Sequence, residues 1–471
     1  MLKDKILFFI DFYFYHFAMA KHFQEKYDCE SYAIIDFNDK PKKFFEKQNL
    51  VEFKKAWYYR DHVLPSTKKP NLEYLHFFEE KYKINIWSIV SAERAFYRFN
   101  EYHKFKRDEI LSIIEQECRF FESVIDEIKP DFLLIYLTDW HHTHLLSELC
   151  KAKGVKVLML VPSRLDQKVM IVEELDRMDS AIDYSVNYTE KTFTFQELEN
   201  FLNQHNVYKS VTKKENKLYP TNLKMIKAAL QFFFTPGNKQ YRKNYTNYGK
   251  TRSKALLVGI TRILKRKYRE YFMSKNFIRD VNTSIPFVYY PMHYEPERAL
   301  LIGAPYYDDQ LWVIENIAKS LPPGYKLYVK DHPVMNVAAW RPTSYYKQLM
   351  QMPNVVLIHP SVRPQELMKK CSLVVTIAGT SSLEASFYAK PIIIFSEFWG
   401  HSLISSVQKV EKIEDLPYLI RSALHKKVDE KELSNYVNLV TKNSFEFDFI
   451  GIFTDVLKGV ESYNRGIILK R

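Results

Sequence analysis

Three short stretches of this sequence carry residue types able to hold an anion and move a proton. In Thr376-Ile-Ala-Gly379-Thr380-Ser381-Ser382-Leu-Glu384-Ala385 an apolar run passes through Gly-Thr-Ser-Ser into residues with helical spacing. Ser and Thr at such a start cap the helix, and its free N–H groups and dipole attract a phosphate. The same Ser-x-x-Glu spacing also describes an ordinary capped helix. The second stretch, Lys330-Asp331-His332-Pro333, follows an apolar run. Pro333 cannot extend a sheet and biases His332 to an extended conformation, which fixes where its imidazole points. There it can donate to a phosphate or a leaving oxygen, and Lys330 adds charge. The third, Tyr289-Tyr-Pro-Met-His293-Tyr-Glu295-Pro-Glu297, gathers one His and two carboxylates; its plain alternative is a hydrophilic turn held by two prolines.

These residues need elements to position them, and the pattern supplies strands that end beside each. Phe287–Tyr290, Lys326–Lys330, Val355–Ile358, Leu373–Ile377 and Ile392–Phe395 read as strands, with helices over Asp308–Ser320, Pro364–Cys371 and Ser381–Tyr388. Strand, helix and strand in alternation imply a parallel sheet covered on both faces, with ligands at the carboxyl edge. The first part of the chain repeats the theme: strands at Ile6–Ile10, Tyr32–Asp36, Phe132–Leu137 and Val155–Val161, helices at Arg119–Ile128 and His144–Lys153. Lys40 to Arg107 shows no clear period.

A chain of 471 residues suits about two domains with a connector. Hydrophobic residues make up 46% and charged residues 27%, as in a folded globular protein. With 11 glycines and neither GxGxxG nor GxxxxGK[ST], a dinucleotide fingerprint and a P-loop are excluded. Cys29, Cys118, Cys150 and Cys371 lack CxxC spacing and read as free thiols. Asp11 and His16 interrupt the apolar start, which therefore reads as a first buried strand, and no run reaches the roughly 18 apolar residues of a membrane span. A cytoplasmic protein is expected. The net charge of +13 is local: Lys209 to Arg279 holds nineteen Lys and Arg against Glu215 and Glu270.

The order and spacing of the three stretches resemble capsule polysaccharide biosynthesis proteins of the GT-B glycosyltransferase superfamily, among them capsular Kdo transferases and bacterial GT-B sialyltransferases. The resemblance covers Phe287 to Phe395 well and the first lobe only in pattern. It implies an α/β fold of the GT-B kind: two Rossmann-like domains facing a cleft, joined by a helical basic connector. The expected divisions are 1–203 (acceptor), 204–285 (connector), 286–445 (nucleotide-sugar) and 446–471, with a helix over Asp448–Tyr463 crossing back. By similarity His332, Thr380, Ser381 and Ser382 bind the donor phosphate with Gly379, and Glu384 meets a donor hydroxyl or ribose. His293, Glu295, Glu297 and Lys330 join the donor site, and His359, in Ile358-His-Pro360, lines the pocket near the base.

A transferase of this kind takes its catalytic base from the first lobe. Thr138-Asp139-Trp140-His141-His142-Thr143-His144 supplies Asp139 or His141, with Asp11 competing, while His332 assists the leaving group. His141 and His144 lie one helical turn apart, as metal ligands can, but the resemblance implies metal-independent transfer with no cofactor beyond the nucleotide-sugar substrate. Arg164 is placed to hold an acceptor or donor carboxylate. The expected donor is a CMP-sugar, with a UDP-sugar next; the acceptor is a glycan or lipid-linked glycan. Ile263–Met273 reads as a surface for anionic membrane or as a solvated helix face, and nucleic acid is not expected as a partner. Three alternatives remain: a CDP-glycerol-type polyol-phosphate transferase, a sugar-nucleotide 2-epimerase, and a non-catalytic membrane-associated assembly subunit.

Overall fold

A computed structural model describes residues 3–447 apart from 12–13, 38, 67, 97–98, 166–167, 176–190, 205–243, 296, 333–334 and 336–340. Pro333, most of the first half of the basic connector and the expected helix at Asp448–Tyr463 lie outside the described residues.

The first lobe is a six-stranded sheet of β1 (Asp4–Ile10), β2 (Cys29–Ile35), β3 (Lys55–Tyr58), β4 (Phe132–Ile135), β5 (Lys156–Pro162) and β6 (Val169–Val172), in the order β3-β2-β1-β4-β5-β6. All neighbours are parallel except β5 and β6. The second lobe holds β7 (Phe287–Pro291), β8 (Lys326–Lys330), β9 (Val355–Ile358), β10 (Leu373–Thr376), β11 (Ile392–Ile394) and β12 (Val407–Lys409), in the order β12-β11-β10-β7-β8-β9 and parallel throughout. Counted from its own first strand, each sheet runs 3-2-1-4-5-6, the doubly wound Rossmann arrangement. The expected pair of Rossmann-like domains is therefore observed.

Strands buried on both faces need continuous apolar runs, and β10 (Leu-Val-Val-Thr) and β11 (Ile-Ile-Ile) are such runs. Leu327, Val329, Val375 and Ile393 point to one face of the second sheet; Tyr289, Tyr328, Val374 and Ile392 point to the other, where they join an apolar cluster that extends into the first lobe. The lobes also meet through polar contacts. Arg298 donates from Nε and Nη2 to Thr138 Oγ1 at 3.2 and 3.1 Å, Trp399 N–H donates to the Leu175 carbonyl, and Phe445 bridges Val169 in antiparallel fashion.

The unperiodic stretch from Lys40 to Arg107 contains β3 and short helices at Leu72–Tyr82 and Ile86–Ser91, each capped by an Asn side chain (Asn71, Asn85). Two expected helices are longer than the pattern implied. One spans Arg107–Ile128, and the other starts at His141, so that His141 belongs to its first turn. From the connector, Thr251 caps a 25-residue helix over Arg252–Asn276.

Candidate functional site

In a 3-2-1-4-5-6 sheet the strand order reverses between the first and fourth strands, and the crevice at their carboxyl ends is where a ligand fits. In the second lobe that switch lies between β7 and β10, and His293, just past β7, spans it. Its Nε2 lies 3.1 Å from Thr376 Oγ1 at the end of β10 and 3.4 Å from the Ala378 amide, whose N–H it accepts. Gly379 has φ +93°, a backbone conformation that favours glycine, and it lies against His293 Cε1. Burial, with the nearby His332 and Arg341, pushes the His293 pKa down to about 3 and keeps the ring neutral. The structure places the His293 imidazole, expected at the donor site, in a buried position where it buckles two loops together.

Glu295 is likewise committed. Its Oε1 accepts from Arg341 Nη2 at 3.0 Å and from Gln310. Arg341 also donates to the His293 carbonyl at 2.8 Å and pairs with Asp331, whose other oxygen accepts from the Tyr346 hydroxyl. Asp331 Oδ1 in turn accepts the His332 N–H at 2.9 Å. This buried arginine ties Asp331 to the turn that carries His293 and Glu295, and nothing in the sequence around Arg341 marks it out.

On that scaffold stand Lys330 and His332. Lys330 is 1% exposed, and its Nζ has no hydrogen-bond partner among the described residues. Burial lowers its pKa to about 8 while Asp331 opposes the shift, so the ammonium still carries charge at neutral pH. His332 is half-buried, 6.1 Å ring to ring from Tyr294, and burial lowers its pKa to about 4. A neutral imidazole of this kind can donate an N–H to an anion without itself being ionised. His359, past β9, accepts the Ser361 N–H at Nδ1 and lies 3.4 Å from Arg279; Arg279 and Lys330 add to burial in lowering its pKa.

The Gly-Thr-Ser-Ser turn divides by exposure. Thr380 and Ser381 remain partly accessible, whereas Ser382 is fully buried, donates to the Gly379 carbonyl at 2.7 Å and shares a 2.5 Å contact with His401 Nδ1. Ser382 thus braces the turn from inside. Glu384, on the helix Ser381–Phe387, is raised to about 7 by burial, opposed by a hydrogen bond from Thr380.

The first lobe presents its own carboxyl edge at the β1/β4 switch. Asp11, Asp36, Tyr136, Asp139, Trp140 and His142 line a pocket there of about 350 Å³ including its open mouth. Asp36 is held by Arg60 Nε and Nη2, with His142 Nε2 3.6 Å away. Asp36 could have been found from sequence, because it ends β2 as Asp11 ends β1.

Asp139 and Glu297 belong to different lobes yet share the neighbours Arg94 and Arg164, and burial raises both carboxyl pKa values against those arginines. Arg298 also acts on Asp139. Glu297 and Arg164 keep more than a third of their surface open while protein from both lobes crowds Glu297, which is the situation of a group on a cleft wall. Arg94 stacks 4.5 Å over Trp140, and Arg164 adopts a left-handed backbone at φ +65°, a strained state that clusters at ligand sites. Of these, Arg94 and Arg298 carried no sequence signal.

His141 is enclosed more completely. It is fully buried, with Nδ1 bonded to Glu93 and Nε2 2.9 Å from Glu117 Oε2. Burial alone would lower its pKa, but Glu117 and Glu93 prevail and raise it to about 10. Both ring nitrogens are thus engaged by carboxylates, which favour the protonated ring. Among the described residues no three His, Cys, Asp or Glu side chains are grouped to hold a metal ion, and no helix is long and apolar enough to cross a membrane.

Comparison with known proteins adds the following. The sequence model of the family described as "Capsule polysaccharide biosynthesis protein" matches residues 195–401. No curated protein matches the chain. Among solved structures, the β-Kdo 2,7 transferase of Thermosulfurimonas dismutans KpsC is 12% identical, with a TM-score of 0.32, over 75% of this chain and 87% of that one. The β-Kdo 2,4 transferase of the same protein is 12% identical at TM-score 0.31, over 65% and 79%. A UDP-GlcNAc 2-epimerase from Methanocaldococcus jannaschii is 14% identical at TM-score 0.25, over 94% and 100%. Over residues 195–401, the stretch that carries His293, Lys330, His332 and Ser381, this chain is similar to the capsule polysaccharide biosynthesis proteins, as the three sequence stretches implied.

Proposed function

We propose that this protein is a GT-B glycosyltransferase of capsular or other surface polysaccharide biosynthesis, transferring a sugar from a nucleotide-activated donor to a glycan or lipid-linked acceptor. The observation that carries the reading is Lys330. A buried ammonium without a hydrogen-bond partner among the described residues, beside His332 and at the carboxyl edge of the second sheet, is a site suited to an anion. A CMP-sugar is the favoured donor and a UDP-sugar the next. The family match over residues 195–401 supports the polysaccharide context.

In this reading the donor phosphate rests between Lys330, His332 and the accessible Thr380 and Ser381. Asp139 faces it from the first lobe. Its raised pKa suits a general base, because a carboxylate that resists ionisation takes a proton more readily. Asp139 removes the acceptor hydroxyl proton as the new C–O bond forms at the anomeric carbon. The bond from that carbon to the phosphate oxygen breaks, and its electron pair stays on the phosphate, stabilised by Lys330 and His332.

The test is to incubate the protein with CMP-sugars, UDP-sugars or CDP-glycerol and a capped oligosaccharide acceptor, reading the added mass. Gain of one sugar residue supports the proposal. Gain of a polyol phosphate, or donor turnover without acceptor, contradicts it. Asp139→Asn is expected to lower transfer by roughly 10²–10⁴-fold while nucleotide binding persists; full activity in that variant removes Asp139 as the base.

A further inference from the structure

The helix Arg252–Asn276 turns its back on the protein and leaves a formed face open. Leu256, Leu257, Ile260, Leu264, Tyr268 and Tyr271 are 43–64% exposed. At 100° per residue these six fall within about 120° of the helix circumference, so they make one stripe and not a scatter. Monomeric surfaces rarely keep such a patch without a partner.

The opposite side of the helix is fixed to both lobes. Toward the second lobe, Phe272 and Met273 enter the core and the buried Arg269 donates to the Met335 carbonyl at 2.9 Å, in the loop that follows His332. Toward the first lobe, Arg262 pairs with Glu101 and Lys254 bonds the Tyr102 carbonyl. The helix therefore lies across both lobes, and its free stripe faces away from each.

We propose that this stripe docks the enzyme on an anionic lipid surface. Charge complementarity selects the occupant. The helix carries eight Lys and Arg against Glu270 alone, and Lys267 and Lys275 fall on the same third of the circumference as the leucines and tyrosines. Apolar side chains enter the acyl boundary, tyrosines sit at headgroup level, and lysines reach the lipid phosphates. A second copy of the chain would bring two strongly basic helices face to face. Nucleic acid would leave the Leu and Ile side chains without apolar contacts. Docking in this way brings the protein to the membrane surface, and the inference goes beyond the proposed transferase activity without depending on it.

The experiment is co-sedimentation of the full chain with vesicles of phosphatidylethanolamine and phosphatidylglycerol, and with vesicles of phosphatidylcholine alone. The wild type is expected to pellet with the anionic vesicles and to be released by high salt. A variant combining Leu257→Ser, Ile260→Ser and Leu264→Ser is expected to bind at least about tenfold more weakly, to melt as the wild type does, and to keep its transfer rate on a soluble acceptor. A second variant, Lys267→Glu with Lys275→Glu, tests the charge and is expected to lose the preference for anionic lipid. The proposal is overturned if the wild type stays in the supernatant, if the serine variant binds equally well, or if binding ignores both lipid charge and salt. It is equally overturned if light scattering without lipid shows a dimer that the serine variant breaks, or if the stripe binds RNA or DNA in place of vesicles.

Discussion

Lys330 is the residue at which stability and function pull in opposite directions. Its folded-state pKa is depressed from 10.5 to about 8, so the folded protein resists holding the proton. The resulting penalty is fully present below pH 8 and fades as pH rises from about 8 toward 10.5. Lys330→Met is therefore expected to raise the stability of the ligand-free protein at pH 7 by up to about 3 kcal/mol, with the gain shrinking at alkaline pH. The same change is expected to weaken nucleotide binding by roughly 10–100-fold, as loss of a charge-assisted hydrogen bond would. Denaturant melts across pH, together with calorimetric titration, check both; a variant less stable than wild type would show that the ammonium has a partner. Lys330 and His332 were legible in the sequence because each stands just past an apolar strand. Their scaffold was not: Arg341 joins Asp331, ten residues away, to Glu295 and the His293 carbonyl, more than forty residues away, and no local period records such a meeting.

At the scale of elements, the first turn of the helix His141–Ala152 is anchored by a buried trio. His141 ties Glu93 to Glu117, and Glu117 also accepts from the Tyr59 hydroxyl. The bond to Glu93 holds the loop of Arg94 against the turn that presents Asp139 and Trp140. Because the His141 pKa is raised from 6.5 to about 10, its stabilisation is present below about pH 6.5 and is lost as pH rises through 10. His141→Gln is expected to cost about 3–5 kcal/mol at pH 7, since two buried carboxylates lose their counter-charge. The gap to wild type should narrow toward pH 10 in chemical denaturation; a pH-independent gap would mean that the imidazole is neutral. Sequence periodicity started this helix at His144 and left His141 free, because the polar run His141-His142-Thr143-His144 offers no apolar contrast to fix a helix start. Only the long-range partners Glu93 and Glu117 reveal that the ring faces inward.

The molecule as a whole repeats one topology twice, and its strands were legible wherever they are buried on both faces: β7, β8, β9, β10 and β11 all lie where unbroken apolar runs put them. The marginal strands β3, β6 and β12, at the sheet edges, escaped because half-covered strands carry shorter and weaker patterns. The way the lobes face each other was not legible at all. The Arg298–Thr138 contact and the shared surroundings of Asp139 and Glu297 join positions some 160 residues apart in the chain. The central claim is that the second lobe holds a nucleotide phosphate over Lys330 and His332. The most direct measurement is the melting-temperature shift caused by CMP-, UDP-, GDP- and CDP-linked compounds in the wild type, Lys330→Met and His332→Ala, since a ligand that binds only the folded state raises stability by mass action. The account predicts a dose-dependent rise for at least one nucleotide in the wild type and its loss in both variants. No shift with any nucleotide, or a shift unchanged in the two variants, would contradict it.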